Sequence, residues 1–306
     1  MPAATEPYTG QLGRWLADLG SLQIDSIGPR LFGATTATII PFVTDDQTAM
    51  VAKIYDREID GVGTDDVVRD AAAMRAASEV HLNTPVLIDA DPAGARVGYP
   101  ALLLTRLDGA PRAFGGDEPE RWVDGLADAL IDIASAPVPT SPLPSYRSWV
   151  PENVTTPVWS TRPALWDEIR SAIAADTPSS PPRLIHRDFH QLNVLWSGSS
   201  PSGTVDWVNG CLGPIESDIS TCRVNIALAD QRYDGVALAD RFLRRCQDAG
   251  LPWHPSWDLD FIAGAAHEPH VFLVGRDFGA DMTIESVSAT FETMATQALD
   301  ALTTSR

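Results

Sequence analysis

The spacing of apolar residues changes along the chain, from short runs in the first third to helical spacing in the rest. Four apolar runs typical of strands cover residues 38–43, 49–55, 85–88 and 99–105. Between the second and third runs, apolar residues recur every three or four positions from residue 65 to residue 80, which predicts a helix. We therefore expect a sheet with one helix in the first part of the chain.

Helical spacing dominates after Gly109. A first predicted helix has Trp122, Leu126, Leu130 and Ile133 on one face. Further helices are predicted over residues 164–175, 216–230, 234–249, 256–275 and 283–302. The segment from residue 136 to residue 163 is rich in Pro, Ser and Thr, but its aromatic residues favour an ordered loop over a disordered one.

A short strand pair is predicted within this helical region. Residues 194–196 and 204–206 are the two runs, and residues 197–203 form the turn between them. The length of 306 residues fits about two domains. The pattern predicts an α+β protein with a β-rich part, residues 1–107, followed by a mainly helical part, residues 108–306.

One segment, from Leu184 to Trp196, combines several residues that carry chemistry. It contains H-R-D, then four residues, then Asn193. This is the spacing of a kinase catalytic loop, in which the Asp takes a hydroxyl proton and the Asn holds Mg²⁺. Asp206 follows Asn193 by thirteen residues, and a second carboxylate at that distance suits a further metal ligand. The segment therefore predicts phosphoryl transfer.

The only lysine in the chain, Lys53, lies in an apolar run from Ala49 to Tyr55 that is similar to the V-A-I-K strand of kinases. Lysine is rarely buried in a strand unless something pairs with it. The expected partners are the phosphates of a nucleotide and a carboxylate on the next helix.

The chain resembles the aminoglycoside phosphotransferase family, a branch of the protein-kinase-like fold that includes choline kinases and antibiotic kinases. The resemblance spans about residues 25–230 and is most specific between His186 and Asp218, where Trp207 follows the metal Asp and Gly213-Pro214 precede Asp218. No A-P-E segment follows Asp206, which argues against a protein kinase. The resemblance implies a small β-rich N-lobe, residues 1–107, and a larger helical C-lobe, residues 108–306.

The resemblance also implies roles for individual residues. Asp188 would be the catalytic base, Asn193 and Asp206 would hold Mg²⁺, and His186 and Asp218 would brace the catalytic loop. Lys53 would bind the nucleotide, which is ATP, with GTP left open.

The helix after the lysine strand has two candidate partners for Lys53. The family generally has a Glu facing this lysine, and the matching position here is Asp70, which is about 1.5 Å shorter. Glu79 is the rival. Nine residues at about 100° each place Glu79 on the face opposite Asp70, so only one of them can face Lys53. We expect Asp70 to be the partner.

Other expected nucleotide contacts follow from position. The loop before the first strand pair occupies the place of a phosphate-covering loop, and its small residues Gly33, Ala34 and Thr35 would let backbone N–H groups approach phosphate oxygens. Thr105 and Leu107 lie at the junction that resembles the hinge between lobes, whose backbone would bind the adenine edge.

The sequence says least about the acceptor. Candidates are Trp207, Asn209, Glu268, Asp277 and Asp281, with solvated surface positions as the alternative. An aminoglycoside needs several carboxylates, a choline-like substrate needs an aromatic cage, and a macrolide needs an apolar groove. The chain ends Thr303-Thr304-Ser305-Arg306, without the acidic, aromatic-ended tail of 3′-phosphorylating aminoglycoside enzymes, which favours another hydroxylated metabolite or antibiotic.

The amino-acid composition limits the kinds of binding partner that we expect. The net charge of −19 argues against nucleic acid. It would favour a polycationic substrate such as an aminoglycoside, with a role in solubility as an equal alternative. The expected partner is a small hydroxylated substrate, and a cationic one is left open. The sequence contains neither a membrane-length apolar run nor a basic, apolar start, so we expect a cytoplasmic protein that does not bind membranes, either a monomer or a dimer. The three cysteines are expected to be reduced and mostly buried.

Overall fold

The computed structural model describes residues 6–20, 22–31, 37–56, 63–175 and 177–304. These residues form two compact units. The sheet unit consists of the described residues up to Asp108 together with Pro139–Leu143 and Thr204–Gly210. The helical unit consists of Gly109–Val138, Pro144–Gly203 and the chain from Cys211 onward.

The sheet unit is built on a five-stranded antiparallel sheet with the strand order β1-β2-β3-β5-β4. The strands are β1 (Ile24–Ile27), β2 (Thr38–Thr44), β3 (Ala49–Ile54), β4 (Leu87–Asp91) and β5 (Ala101–Thr105). Lys53 lies on the central strand, paired with Ile39 of β2 and Leu102 of β5. Because β3 is bonded on both sides, the direction of the Lys53 side chain is set by the sheet.

Two α-helices belong to the described part of the sheet unit. Helix α1 (Glu6–Gly20) was not predicted; its Leu12, Trp15 and Leu16 are buried in one apolar cluster with residues of β2, β3 and β5. Helix α2 (Thr64–Glu79) starts within one residue of its predicted position. Acidic residues in its first turn suit the positive end of the helix dipole, and His81, at φ 61°, ends it in the left-handed conformation.

The helical unit contains six α-helices in its described residues, and α5 is buried along nearly its whole length. The helices are α3 (Pro119–Ser135), α4 (Pro163–Ile173), α5 (Ile215–Leu228), α6 (Gly235–Asp248), α7 (Ser256–Ala265) and α8 (Ile284–Thr304). The short strands are β6 (Ala110–Pro111), β7 (Arg183–Ile185), β8 (Val194–Ser197), β9 (Ser200–Thr204) and β10 (Cys211–Gly213). Strand β10 pairs with β7, while β6, β8 and β9 form a three-stranded sheet.

Three predicted elements were wrong in extent. The strand expected over residues 85–88 is β4, Leu87–Asp91. The helix expected over residues 256–275 ends at Ala265, and a separate 3-10 helix runs over Pro269–Phe278. Pro269 explains the break, because proline has no N–H and its ring clashes with the carbonyl four residues earlier. The strand expected at residues 204–206 is instead β9, since a two-residue turn with Gly198 at φ 61° closes the hairpin earlier.

The cysteines, the helix lengths and the fold class can be read from the described residues. All three cysteines are free and buried, as predicted. Among the helices that the structure describes, none is long and apolar enough to cross a membrane. The predicted α+β class with an antiparallel sheet followed by helices is confirmed.

Candidate active site

Lys53 is buried and forms two ion pairs within the sheet unit. Its Nζ lies 2.7 Å from Asp70 Oδ2 of α2 and 2.6 Å from Asp206 Oδ1. Burial by itself lowers the pKa of this ammonium, but the charges of Asp206 and Asp70 raise it further, so the pKa stands well above its ordinary value. Lys53 is therefore a fixed positive charge at neutral pH, suited to binding phosphate oxygens.

The predicted choice between the two carboxylates of α2 is resolved in favour of Asp70. Asp70 has no exposed surface and contacts Lys53 directly, although its side chain is shorter than that of Glu. Glu79 points elsewhere: its carboxylate accepts four hydrogen bonds, from the backbone N–H groups and hydroxyls of Thr140 and Ser141. These bonds, those of Ser141 foremost, lower the pKa of Glu79 to about 2. Glu79 thus anchors a loop.

Tyr55 is a member of this cluster that the sequence reasoning missed. Its hydroxyl donates to Asp70 Oδ2 over 2.8 Å, so Lys53 and Tyr55 converge on one oxygen. The signal was present in the sequence, because residues two apart on a strand project to the same side of the sheet.

Asp206 has a left-handed backbone conformation, which is uncommon for residues other than glycine. Its φ and ψ are 67° and 60°, in the left-handed region, where Asp is one of the few non-glycine residues that is tolerated. Its side chain is 29% exposed, so the carboxylate is accessible besides its bond to Lys53. Such strain commonly occurs where a side chain must be aimed at a ligand. The geometry suits a cation ligand.

The catalytic-loop segment of the helical unit connects β7 to β8 and is braced by Asp218 of α5. Asp218 is fully buried, and its two carboxylate oxygens accept the backbone N–H groups of His186 over 2.7 Å and Arg187 over 2.6 Å. This bracing was predicted and is present. Burial raises the pKa of Asp218 to about 7, even though the two N–H groups act in the opposite direction. His186 is also fully buried, with its ring edge-on to Phe189.

Asp188, His190 and Asn193 lie together in this loop. Asn193 Nδ2 donates to the Asp188 carbonyl over 2.9 Å and lies 3.2 Å from His190 Nε2. The His190 ring nitrogen is also 3.7 Å from the Asp188 carboxylate, whose side chain is 41% exposed. The two contacts at Nδ2 fix the orientation of the Asn193 amide, so its oxygen is the atom that could bind a cation. The Asp188 carboxylate is accessible to an incoming hydroxyl.

Arg187 connects this loop to the preceding segment, and the sequence reasoning did not assign it a role. It too is left-handed, at φ 65°. Its guanidinium stacks 3.7 Å from the centroid of the Trp149 ring and donates to the Arg147 carbonyl over 2.6 Å. The segment that holds Arg187 is itself tied to α7, because Tyr146 and Ser148 both donate to the Asp260 carboxylate. These contacts hold the residue before Asp188 in its strained conformation.

The remaining predicted nucleotide residues are only partly described. Gly33, Ala34 and Thr35 lie outside the described residues. Thr105 ends β5, and its N–H and hydroxyl both bond to the backbone of Val86. Leu107 follows this strand and is half-buried.

The acceptor candidates differ in exposure. Trp207 has no exposed surface, and its Nε1 donates to the Thr204 carbonyl, so the expectation that it lines a pocket was wrong: this indole is part of the core of the sheet unit. Asn209 is half-buried. Glu268, Asp277 and Asp281 are exposed and lie on or beside the 3-10 helix Pro269–Phe278 of the helical unit.

Solved structures with a similar fold include two kinds of antibiotic phosphotransferase. Aminoglycoside phosphotransferase APH(4)-Ia is 15% identical with a TM-score of 0.59, and the match covers 95% of this chain and 98% of that one. Macrolide 2′-phosphotransferase MphH from Brachybacterium faecium is 15% identical with a TM-score of 0.54, covering 92% and 97%. Macrolide 2′-phosphotransferase type I is 16% identical with a TM-score of 0.53, covering 96% and 99%.

These likenesses show the kinase-like fold that the sequence predicted. No curated protein matches the chain. The phosphotransferase enzyme family, abbreviated APH, matches residues 41–256, which is more than half of the chain and includes Lys53, Asp70, Asp188, Asn193 and Asp206. The prediction that the chain is a phosphotransferase is thereby confirmed. The chain belongs to the phosphotransferase enzyme family.

Proposed function

We propose that this protein transfers the γ-phosphate of ATP to a hydroxyl group of an antibiotic or a related small metabolite. The observation that carries the proposal is the buried Lys53, which is the only lysine of the chain and is paired with both Asp70 and Asp206. Removing a lysine and two carboxylates from water costs free energy, and such buried charged groups are concentrated at functional sites. In a phosphotransferase, such a lysine neutralises nucleotide phosphates.

The roles that we propose follow the sequence resemblance and the local geometry. Asp188 orients and deprotonates the acceptor hydroxyl. Lys53 binds the α and β phosphates, and Asp70 holds Lys53. Nucleotide binding is assigned to residues 1–107, with Gly33, Ala34 and Thr35 at the phosphates and Thr105 and Leu107 at the adenine; acceptor binding is assigned to residues 108–306.

Asn193 and Asp206 fit the chemistry of Mg²⁺, because that ion takes oxygen ligands from carboxylate and amide groups. Asn193 offers an oriented amide oxygen and Asp206 offers an accessible carboxylate. When bound, Mg²⁺ would neutralise charge on the triphosphate and so aid the departure of the leaving group. His186 and Asp218 act through the loop backbone and are not proposed to contact either substrate.

The nature of the donor is supported by relatives of similar fold. A mutant of APH(4)-Ia has been solved in a ternary complex with ADP and hygromycin B, and another with AMP-PNP and hygromycin B. We propose the same adenine nucleotide here, with GTP as an alternative to be measured. Dependence on ATP, together with three reduced cysteines, fits the expected cytoplasmic location.

For the acceptor, we propose a hydroxylated compound that carries positive charge. Exposed Glu268, Asp277 and Asp281 and the net charge of −19 would attract a cation. Choline-like compounds and amino sugars are alternative acceptors of the same charge. Nucleic acid and membranes are not proposed partners.

The proposal is tested first by nucleotide binding. Millimolar Mg-ATP should raise the melting temperature of the wild type, because a ligand that binds only the folded state stabilises it by mass action, by about 2.7 kcal/mol at 100 times Kd. Asp206→Ala should remove the part of the shift that depends on Mg²⁺. Absence of any shift in the wild type would contradict the proposal.

Turnover is tested next. ATP consumption is measured across aminoglycosides, tuberactinomycins, macrolides, amino sugars and choline, with Asp188→Asn as the matched control. A hit that the control lacks identifies the acceptor class. Nucleotide binding with no consumption for any acceptor would instead favour a catalytically inactive nucleotide-binding protein.

A further inference from the structure

We propose that Tyr55 is a positioning residue, whose hydroxyl holds Asp70 in the orientation in which it binds Lys53. The consequence for nucleotide binding rests on the proposed function. The contact itself belongs to the fold of the sheet unit and is testable without any ligand. Tyr55 is buried, with 4% of its surface exposed, so its hydroxyl has a fixed environment.

The geometry places two donors on a single oxygen. Lys53 and Tyr55 are two positions apart, and the backbone N–H of Tyr55 continues the pairing of β3 by donating to the Pro100 carbonyl over 2.9 Å. Both side chains therefore reach the same side of the sheet. Asp70 Oδ2 accepts from Lys53 Nζ over 2.7 Å and from the Tyr55 hydroxyl over 2.8 Å, and Nζ lies 5.2 Å from the centre of the tyrosine ring.

Asp70 depends on these two donors. It has no exposed surface, and among the described residues its other oxygen, Oδ1, has no hydrogen-bond partner. A buried carboxylate with an unsatisfied oxygen is costly, and loss of a further donor costs more than an ordinary hydrogen bond is worth. Without the hydroxyl, Lys53 would be the remaining donor to Oδ2, and the carboxylate could rotate about its bond to Cβ.

The orientation of the Lys53 ammonium depends on its hydrogen bonds to the two carboxylates. An ammonium has three N–H donors, and two of them point at Asp70 and Asp206. The direction of the third, which would face a phosphate oxygen, is set by the other two. Tyr55 therefore acts on nucleotide binding through Asp70 and Lys53, and is not itself a phosphate ligand.

The variant Tyr55→Phe removes only the hydroxyl. Tyr8→Phe is the matched control, because the Tyr8 hydroxyl also donates to a carboxylate of the sheet unit, Asp56 Oδ2, over 2.8 Å, without contacting Lys53. The dissociation constant of Mg-AMP-PNP is measured by calorimetry. We expect Kd to rise about tenfold in Tyr55→Phe, as for loss of about 1.4 kcal/mol, and to stay within about twofold in Tyr8→Phe.

A double-mutant cycle separates positioning from general stability. In the Asp70→Asn background, Tyr55→Phe should add little further loss, because the two residues act through one contact. A purely structural role would lower affinity equally in both backgrounds. If Tyr55→Phe binds the nucleotide as tightly as the wild type, the proposal is overturned.

The single lysine provides a second measurement that needs no nucleotide. With ¹⁵N-labelled lysine, the protein has one side-chain ammonium signal, that of Lys53. Tyr55→Phe should move this signal and speed its hydrogen exchange, while Tyr8→Phe should leave both unchanged. If the wild type does not bind nucleotide at all, the proposed function fails, and the ammonium signal still decides the inference: a shift supports it, and an unchanged signal overturns it.

Discussion

The carboxylate of Asp218 should make the stability of this protein depend on pH near neutrality. Burial raises its pKa from 3.8 to about 7 in the folded protein. A raised carboxyl pKa means that the folded state holds the proton more tightly than the unfolded chain. The stability that this provides is present at low pH and is lost as pH rises from 3.8 to about 7, above which the loss is complete. Asp218→Asn removes this titration.

The expected change in the free energy of unfolding depends on the pH range over which the protein can be measured. The calculated isoelectric point is about 4.5, so measurements should begin at about pH 5.5, where the protein keeps a negative charge. Between pH 5.5 and the folded pKa of about 7 there are roughly 1.5 units, each of which corresponds to about 1.4 kcal/mol. The wild type should therefore lose about 2 kcal/mol relative to Asp218→Asn between pH 5.5 and pH 8.5.

Urea unfolding of both proteins at several pH values measures this difference. The variant itself loses one acceptor for the N–H groups of His186 and Arg187, which costs about 1–3 kcal/mol at every pH and does not alter the slope. Other carboxylates titrate in both proteins and cancel. A difference in stability that stays constant from pH 5.5 to pH 8.5 would refute the reasoning and show that the two N–H groups keep Asp218 ionised throughout.

Three further outcomes are expected. Asp188→Asn should lower kcat by ~10²–10⁴ with nucleotide affinity nearly unchanged, and near-normal turnover in steady-state assays would remove the assignment. Trp149→Ala should lower kcat by roughly tenfold and leave the KM for ATP unchanged, because Arg187 loses the ring that holds it beside Asp188; a change confined to KM would contradict this. Gly264→Ala should destabilise the protein by about 1–3 kcal/mol in urea, because its Cβ would lie 2.8 Å from Trp149 Cβ. An unchanged or higher stability of this variant would contradict the predicted clash.

Helices and strands with a clear pattern of hydrophobic residues were predictable from the sequence. Helix α2 follows from its helical spacing, because it buries one face, and strands β2, β3 and β5 follow from continuous apolar runs, because they are buried along nearly their whole length. The helical period also showed that Asp70 and Glu79 lie on opposite faces, so that only one could face Lys53, and the position that matches the family's Glu favoured Asp70. Helix α1 was not predicted, although Leu12, Trp15, Leu16 and Leu19 have helical spacing.

The sequence by itself determined which chemistry to expect, because Asp188, Asn193 and Asp206 have a spacing typical of a kinase, and a lone lysine in an apolar run predicts a buried charge that needs partners. Only the tertiary structure decided how those groups are held. Trp207 is buried in the core and does not line a pocket, the Tyr55 hydroxyl donates to Asp70 beside Lys53, and the Arg187 guanidinium stacks on Trp149. The strand period places Tyr55 on the same side of the sheet as Lys53, and only packing decided that Asp70 lies within reach of both. The burial of Trp207 and the stacking of Arg187 on Trp149 depend on contacts between residues far apart in the chain, and such contacts are set by packing, which local patterns of hydrophobicity and spacing do not encode.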